Sequence, residues 1–195
     1  ISECLVGSEM CIRDRYLSGK NSLRQYIDML NYQELTYPAD FIKMRCGENH
    51  DTPRLAHWVQ DERRLRHWLA FLYFCRGSML LYGGTEFAPQ HQVGLFDAED
   101  NFGDKRADLQ DFLRRCKDMK ASLPLDGAVW YEVSGGAVVG HYKSPAGERT
   151  GVFDLSGCGG RVSVALADGV YKNQLGGDLN ITGGQVDISG EPMVI

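Results

Sequence analysis

Apolar positions along the chain change their spacing once, and that change divides it. "NSLRQYIDMLNYQ" places Leu23, Tyr26, Ile27 and Leu30 at helical spacing, with Asn21 or Ser22 as N-cap. "DFIKMRC" reads as a short strand. "DERRLRHWLAFLYFCRG" predicts a strong helix with Asp61 and Glu62 in its first turn, Gly77 at its end, and an apolar stripe of Leu65, Trp68, Leu69, Leu72 and Tyr73. "SMLLYGG" is a nearly continuous apolar run, as expected of a parallel strand buried on both faces. A polar and aromatic loop from Thr85 to Asp104 precedes the helix "KRADLQDFLRRCKDMKASL", with Leu109, Phe112, Leu113 and Cys116 on one face. After Pro124 the period falls to two, in short runs between glycines: "AVWYEVSGG", "AVVGHYKSP", "RTGVFDLSG", "RVSVALADG" and "GQVDISG". The expected boundary lies near residue 123. It separates an α/β segment with parallel strands from a small antiparallel β-sandwich or barrel.

Composition narrows the classes. With 43% hydrophobic and 24% charged residues, the 195-residue chain has the make-up of a globular protein. Its net charge of -5 disfavours nucleic acid or an anionic membrane as partner. The longest apolar run, "WLAFLYFC", is too short to span a bilayer. Six scattered cysteines form no C-x-x-C and no zinc spacing with histidine. Cys46, Cys75 and Cys116 fall in apolar or amphipathic runs, so they are expected as core thiols, which leans towards a reducing, cytoplasmic compartment. The first fifteen residues, "ISECLVGSEMCIRDR", show little helical periodicity and resemble translated library-adapter sequence; residues 1–15 are therefore expected to lie outside the natural protein.

The candidate chemistry sits in "KMRCGENHDTPRL", where Glu48, Asn49, His50, Asp51 and Arg54 follow an apolar strand. Taken alone, such a cluster reads as a polar strand-to-helix loop, with Asp51 or Thr52 capping a short helix begun by Pro53. The flanks change this reading. "FIKMRCGENHDTPRL" resembles the fourth conserved region of glycoside hydrolase family 13, the α-amylase family. "YLSGKNSLRQYIDMLNYQELTYPADF" is similar to the helix before that family's seventh barrel strand, and "GSMLLYGGTEFA" to its eighth strand. The Gly-rich region from Ala128 onward is similar to its C-terminal sandwich.

The resemblance implies an α/β plus all-β fold. Residues 16–123 would be the C-terminal portion of a (β/α)8 TIM barrel, carrying strands 7 and 8, and residues 124–195 a C-terminal β-sandwich. It implies that Asp51 is the third catalytic acid, holding the hydroxyls of the sugar at the cleavage point, and that His50 binds the same ring. Asn49, Arg54 and Glu86 would orient these groups or line subsites. For Arg54, pairing with Asp51 or Glu48 as structural support is the competing role, and Glu86 is equally placed as a loop anchor. The family's nucleophile and acid/base belong to the fourth and fifth strands. Retaining chemistry needs two carboxyl groups roughly 5 Å apart, so the chain alone is expected to be inactive. The implied substrate is an α-glucan or maltooligosaccharide. No cofactor or metal is expected in this chain, since calcium in the family usually belongs to an insertion after the third strand. Two alternatives stay open: a non-catalytic carbohydrate-binding module, which would show two or three exposed aromatics among Trp130, Tyr131, Tyr142 and Tyr171, and a catalytically dead relative. His57, His67, His91 and His141 are expected as surface or satisfied packing histidines.

Overall fold

The computed structural model describes residues 8–38, 40–92, 104–124 and 126–195. The helices are α1 (Ser8–Leu17), α2 (Leu23–Thr36), α3 (Leu55–Trp58), α4 (Glu62–Phe74) and α5 (Gln110–Ser122). Strands β1 (Met44–Cys46) and β2 (Ser78–Leu80) form a parallel pair, with Met44 opposite Ser78 and Cys46 opposite Leu80. The β region holds β3 (Ala128–Ser134), β4 (Ala137–Ser144), β5 (Gly147–Phe153), β6 (Arg161–Ser163), β7 (Gly169–Lys172), β8 (Asp178–Ile181), β9 (Gln185–Asp187) and β10 (Met193–Val194). An antiparallel sheet of order β10-β5-β4-β3 is joined by the antiparallel pairs β6-β9 and β7-β8.

Local chemistry accounts for the helices. Ser22 caps α2 in a capping box: its hydroxyl accepts from the Gln25 N–H (3.2 Å) while the Gln25 side chain accepts from the Ser22 N–H (2.8 Å). Asp61 caps α4 by accepting from the Arg64 N–H at 2.8 Å. At the other end of α4, Gly77 takes φ +117, and a Cβ there would lie 2.0 Å from the Lys43 carbonyl oxygen. Only glycine lets β2 leave this helix and pair at once with the chain before β1.

The four-stranded sheet has two buried faces. One carries Val138, Tyr142 and Phe153 against α2 and α4; the other carries Ala137, Val139 and Val152 against Val162, Ile181, Val186 and Ile188 of the second layer. Gly140 and Gly151 face each other across β4 and β5 on the helical side. The ring of Phe74 fills the hole they leave, because a Cβ on Gly140 would sit 2.6 Å from that ring and one on Gly151 3.0 Å from it. Tyr142 and Phe153 surround it at ring-centre distances of 5.1 and 5.3 Å, and the Tyr142 hydroxyl donates to the Phe74 carbonyl at 2.8 Å.

Polar groups complete the docking. The imidazole of the fully buried His67 receives the Asp154 N–H at Nδ1 (2.9 Å), so Nε2 carries the proton and donates to the Gly190 carbonyl at 3.0 Å. Trp68 Nε1 and Arg64 Nε donate to the Leu155 carbonyl, and Arg63 pairs with Asp154 at 2.9 Å. On α2, the Asn31 amide accepts from the Tyr131 N–H and donates to the Tyr131 carbonyl, at 2.9 and 2.8 Å. It thereby satisfies the open edge of β3 as a neighbouring strand would.

Several expectations are corrected. Residues 8–17 are helical although the sequence there offers little periodicity, and Arg13, 2% exposed, donates to the Cys46 carbonyl at 2.9 Å. The run around β2 is not buried on both faces: Leu80 and Leu81 are 38% and 39% exposed, as a two-stranded sheet leaves both edges and one face uncovered. The last helix starts at Gln110 rather than near Lys105, because the irregular residues before it direct the N–H groups of Arg106 and Ala107 to the Phe87 carbonyl and that of Leu109 to the Glu86 carbonyl. Residues 93–103 of the expected loop lie outside the described residues. The hairpin β7-β8 was not expected; its exposed Val170 gives it little apolar signature. The two expected parallel strands form one β-α-β arrangement; the described residues do not by themselves show the barrel of which they are expected to be a portion. The antiparallel β domain, the buried Trp68, the buried thiols of Cys46, Cys75 and Cys116, and the satisfied His67 are as expected.

Two outcomes follow from this packing. Phe74→Ala should cost about 3–5 kcal/mol of unfolding free energy. Gly140→Ala should cost about 1–3 kcal/mol by overpacking, with a non-additive double mutant in denaturant titrations. Independent behaviour would place Phe74 elsewhere. Burial also lowers the pKa of His67 and, less deeply packed, of His141. The unfolded chain then gains protons below about pH 6.5 that the folded chain resists, so stability should fall as pH drops from 7.5 to 5.5. His67→Gln should flatten that melting-temperature profile, leaving the His141 share.

Candidate functional site

Because β1 and β2 are parallel neighbours, the loops leaving their C-terminal ends emerge side by side. The loop after β1 carries Glu48 to Arg54, and the loop after β2 carries Tyr82 to Phe87, ending in the 3-10 turn Thr85–Phe87. Glu48 joins them. Its carboxylate, 3% exposed, accepts from Arg54 Nη1 (2.9 Å) and the Thr85 hydroxyl (2.6 Å) through Oε1, and from the Leu55 N–H (2.5 Å) through Oε2. Leu55 opens α3, so Glu48 supplies the helix cap expected from Asp51 or Thr52. Arg54 is equally buried. It also donates to the Gly83 carbonyl at 3.0 Å, and its guanidinium lies 4.5 Å from the centre of the Tyr82 ring.

Above this brace the remaining motif residues are held but open. Asn49 shapes the turn: its side-chain oxygen accepts from the Asp51 N–H (2.9 Å) and the Thr52 hydroxyl (3.1 Å), while its N–H donates to Thr52 Oγ1. The backbone of His50 is pinned by Gln92 Nε2, which donates to its carbonyl at 2.8 Å. The side chains of His50 and Asp51 stay 58% and 68% exposed, with Nε2 and Oδ2 3.3 Å apart. The arrangement thus presents an imidazole and an acceptor-only carboxylate together to solvent, on a loop whose base is a buried ion pair.

The predicted site residues therefore separate. His50 and Asp51 stand together at the exposed tip, with Asn49 beneath them as the turn's organiser. Arg54 faces inward, away from that tip, in the supporting role that competed with subsite lining. Glu86 lies on the adjacent loop, half-buried, and its carbonyl accepts from the Leu109 N–H at 2.8 Å, anchoring the start of α5. Thr85 and Gln92 were not among the sequence candidates; nothing in their immediate neighbours marks them, because their partners lie 37 and 42 residues away. Among the described residues, no group of three or more His, Cys, Asp or Glu is placed to hold a metal ion, and no helix is long and apolar enough to cross a membrane.

Residues 131–195 match the family model of the bacterial alpha amylase C-terminal domain. No curated protein sequence matches the chain. Among solved structures, an alpha-amylase from Lactobacillus plantarum is 29% identical with a TM-score of 0.86, covering 93% of this chain and 44% of its own. A maltogenic alpha-amylase from Thermotoga neapolitana is 22% identical with a TM-score of 0.73, over 96% of this chain and 49% of its own. The protein AmyP, crystallised as a variant with maltotriose, shares the fold at 16% identity and a TM-score of 0.63, over 87% of this chain and 44% of its own. The chain thus spans less than half the length of these relatives. The last third of the chain thus matches the bacterial alpha amylase C-terminal domain, and its fold, reaching back through the Asn-His-Asp loop, is similar to that of the Lactobacillus plantarum alpha-amylase.

Proposed function

We propose that the chain is the C-terminal part of a glycoside hydrolase that acts on α-glucosidic linkages by a retaining, double-displacement mechanism. The observation that carries this reading is the pairing of Asp51 and His50 at the open end of a parallel strand pair, where barrel enzymes of this architecture place their functional groups. In this reading β1 and β2 are the seventh and eighth strands of a (β/α)8 barrel within residues 16–123. Residues 124–195 form the accompanying β domain. The exposed Phe41, Ile42, Met44, Leu80 and Leu81 around β1 and β2 support it, since these apolar side chains fit a sheet that continues on both sides.

Within the parent, Asp51 would accept hydrogen bonds from vicinal hydroxyls of the sugar at the cleavage point, and His50 would hold the same ring from beside it. These contacts strengthen as the ring flattens towards an oxocarbenium-like state, which lowers the barrier. Asn49 fixes the turn that aims both groups. Arg54 and Glu48 hold the loop on its base, and Glu86 keeps the neighbouring loop against α5. The nucleophile and the acid/base would come from the part of the parent that this chain does not span. The substrate class is a starch-like glucan or maltooligosaccharide, in keeping with the maltotriose bound by one structural relative.

Two measurements test this reading. The purified 195-residue chain should show no turnover of maltoheptaose, and measurable hydrolysis would overturn the division of catalytic groups. In the full-length parent, Asp51→Asn should lower kcat by orders of magnitude with the melting temperature almost unchanged, because the side chain is exposed. Arg54→Met should do the reverse in kind, costing about 3–5 kcal/mol of stability by leaving Glu48 buried without its cation. Equal stability losses in both variants would assign Asp51 to loop structure.

A further inference from the structure

The β domain has an opening of its own. Strands β4 and β5 run for eight and seven residues, whereas β6, which lies across them, has three. The second layer covers Ala137, Val139 and Val152 and stops short of the next rows on the same face, Trp130–His141–Thr150 and Lys143–Glu148. The uncovered part is a cleft of about 340 Å³ between this sheet and residues 163–166, within the size range of small-ligand sites.

Its lining is specific in kind. Trp130, 37% exposed, stacks on His141 with ring centres 4.7 Å apart and planes 17° apart. Trp130 Nε1 donates to Glu132 at 3.3 Å, which ties the indole to a carboxylate beside the cleft. Lys143 and Glu148 form a cross-strand pair at 2.9 Å, and Arg149 donates to the Glu148 carbonyl through Nη1. Burial also lowers the His141 pKa, so at neutral pH it meets Trp130 as an uncharged ring. The charges balance, with Glu132 and Glu148 against Lys143 and Arg149, so the cleft favours a neutral molecule rich in hydroxyls over an ion. An aromatic surface flanked by donors and acceptors of both signs suits the apolar face and polar rim of a pyranose ring.

We propose that this cleft is a second saccharide-binding site, remote from the Asp51 loop, that holds an α-glucan chain against Trp130 with Glu132 as a hydrogen-bonding partner. The choice of α-glucan among neutral saccharides rests on the functional reading above; the cleft and its lining do not. The site also revises the binding-module expectation: Tyr131 and Tyr142 are buried in the core, and Trp130 is the exposed aromatic lining the opening.

The test is native affinity electrophoresis of the 195-residue chain through gels containing graded amylopectin, with melting midpoints recorded for each variant. Wild type should be retarded. Trp130→Ala should weaken binding at least tenfold and Glu132→Ala severalfold; Glu132 is exposed, so that variant carries the test if Trp130→Ala does not fold. Asp51→Asn should remain retarded. Absence of wild-type retardation overturns the proposal, as does a Glu132→Ala or folded Trp130→Ala chain that migrates with wild type. Retardation lost in Asp51→Asn but kept in Trp130→Ala overturns it too, while leaving the Asp51 reading intact.

Discussion

Everything in this chain hangs on the seating of α4. Phe74 can enter the four-stranded sheet only because Gly140 and Gly151 face each other and leave no side chain in the way. Helix and sheet approach one another closely there, and the aromatic cluster of Tyr26, Trp68, Phe71, Tyr131 and Phe153 closes around the contact. Apolar packing of this kind has little preference for rotation or sliding of the helix. The polar bonds supply it: His67 to Asp154 and Gly190, and Trp68 and Arg64 to the Leu155 carbonyl. Asp154 is itself held below the ordinary carboxylate range. Burial opposes this, but the Gly159 and Cys158 N–H groups and the Arg63 guanidinium outweigh it.

The β domain therefore acts as a foundation for the α/β segment. The same helix that docks on it ends at Gly77, where β2 begins, so the position of β2 follows from the seating of α4. The parallel register then brings the loops after β1 and β2 together, and Glu48 ties them. Burying an ion pair costs desolvation, and here hydrogen bonds from Arg54, Thr85 and the Leu55 N–H to Glu48 offset it, while Arg54 Nε is left without a partner among the described residues. The consequence is a rigid base under an exposed tip. His50 and Asp51 are oriented by backbone contacts while their side chains stay open to a ligand.

Much of the fold was legible in the residues. Ser22 announced its helix because a capping side chain acts within three residues, whereas Asp61, expected in the first turn of α4, caps it instead; the alternating runs after Pro124 announced strands because a pleated strand has period two. The cluster from Glu48 to Arg54 was visible for the same local reason. Its division of labour was not. Nothing in the order Glu-Asn-His-Asp-Thr-Pro-Arg shows that the first and last residues turn inward to each other and to Thr85 while the middle pair faces out. Nor does "SMLLYGG" reveal that its leucines stand at an uncovered sheet surface.

By itself, the sequence determined the elements, the change from helical to alternating period, and the residue types from which a sugar site can be made. These depend on neighbours a few positions apart. The tertiary structure decided which side chains became buried supports and which stayed exposed. It also decided that Tyr131 and Tyr142 are buried while Trp130 lines a cleft. Those outcomes depend on the docking of α4 and on how far β6 reaches across β4 and β5, contacts between residues dozens of positions apart that no local pattern encodes.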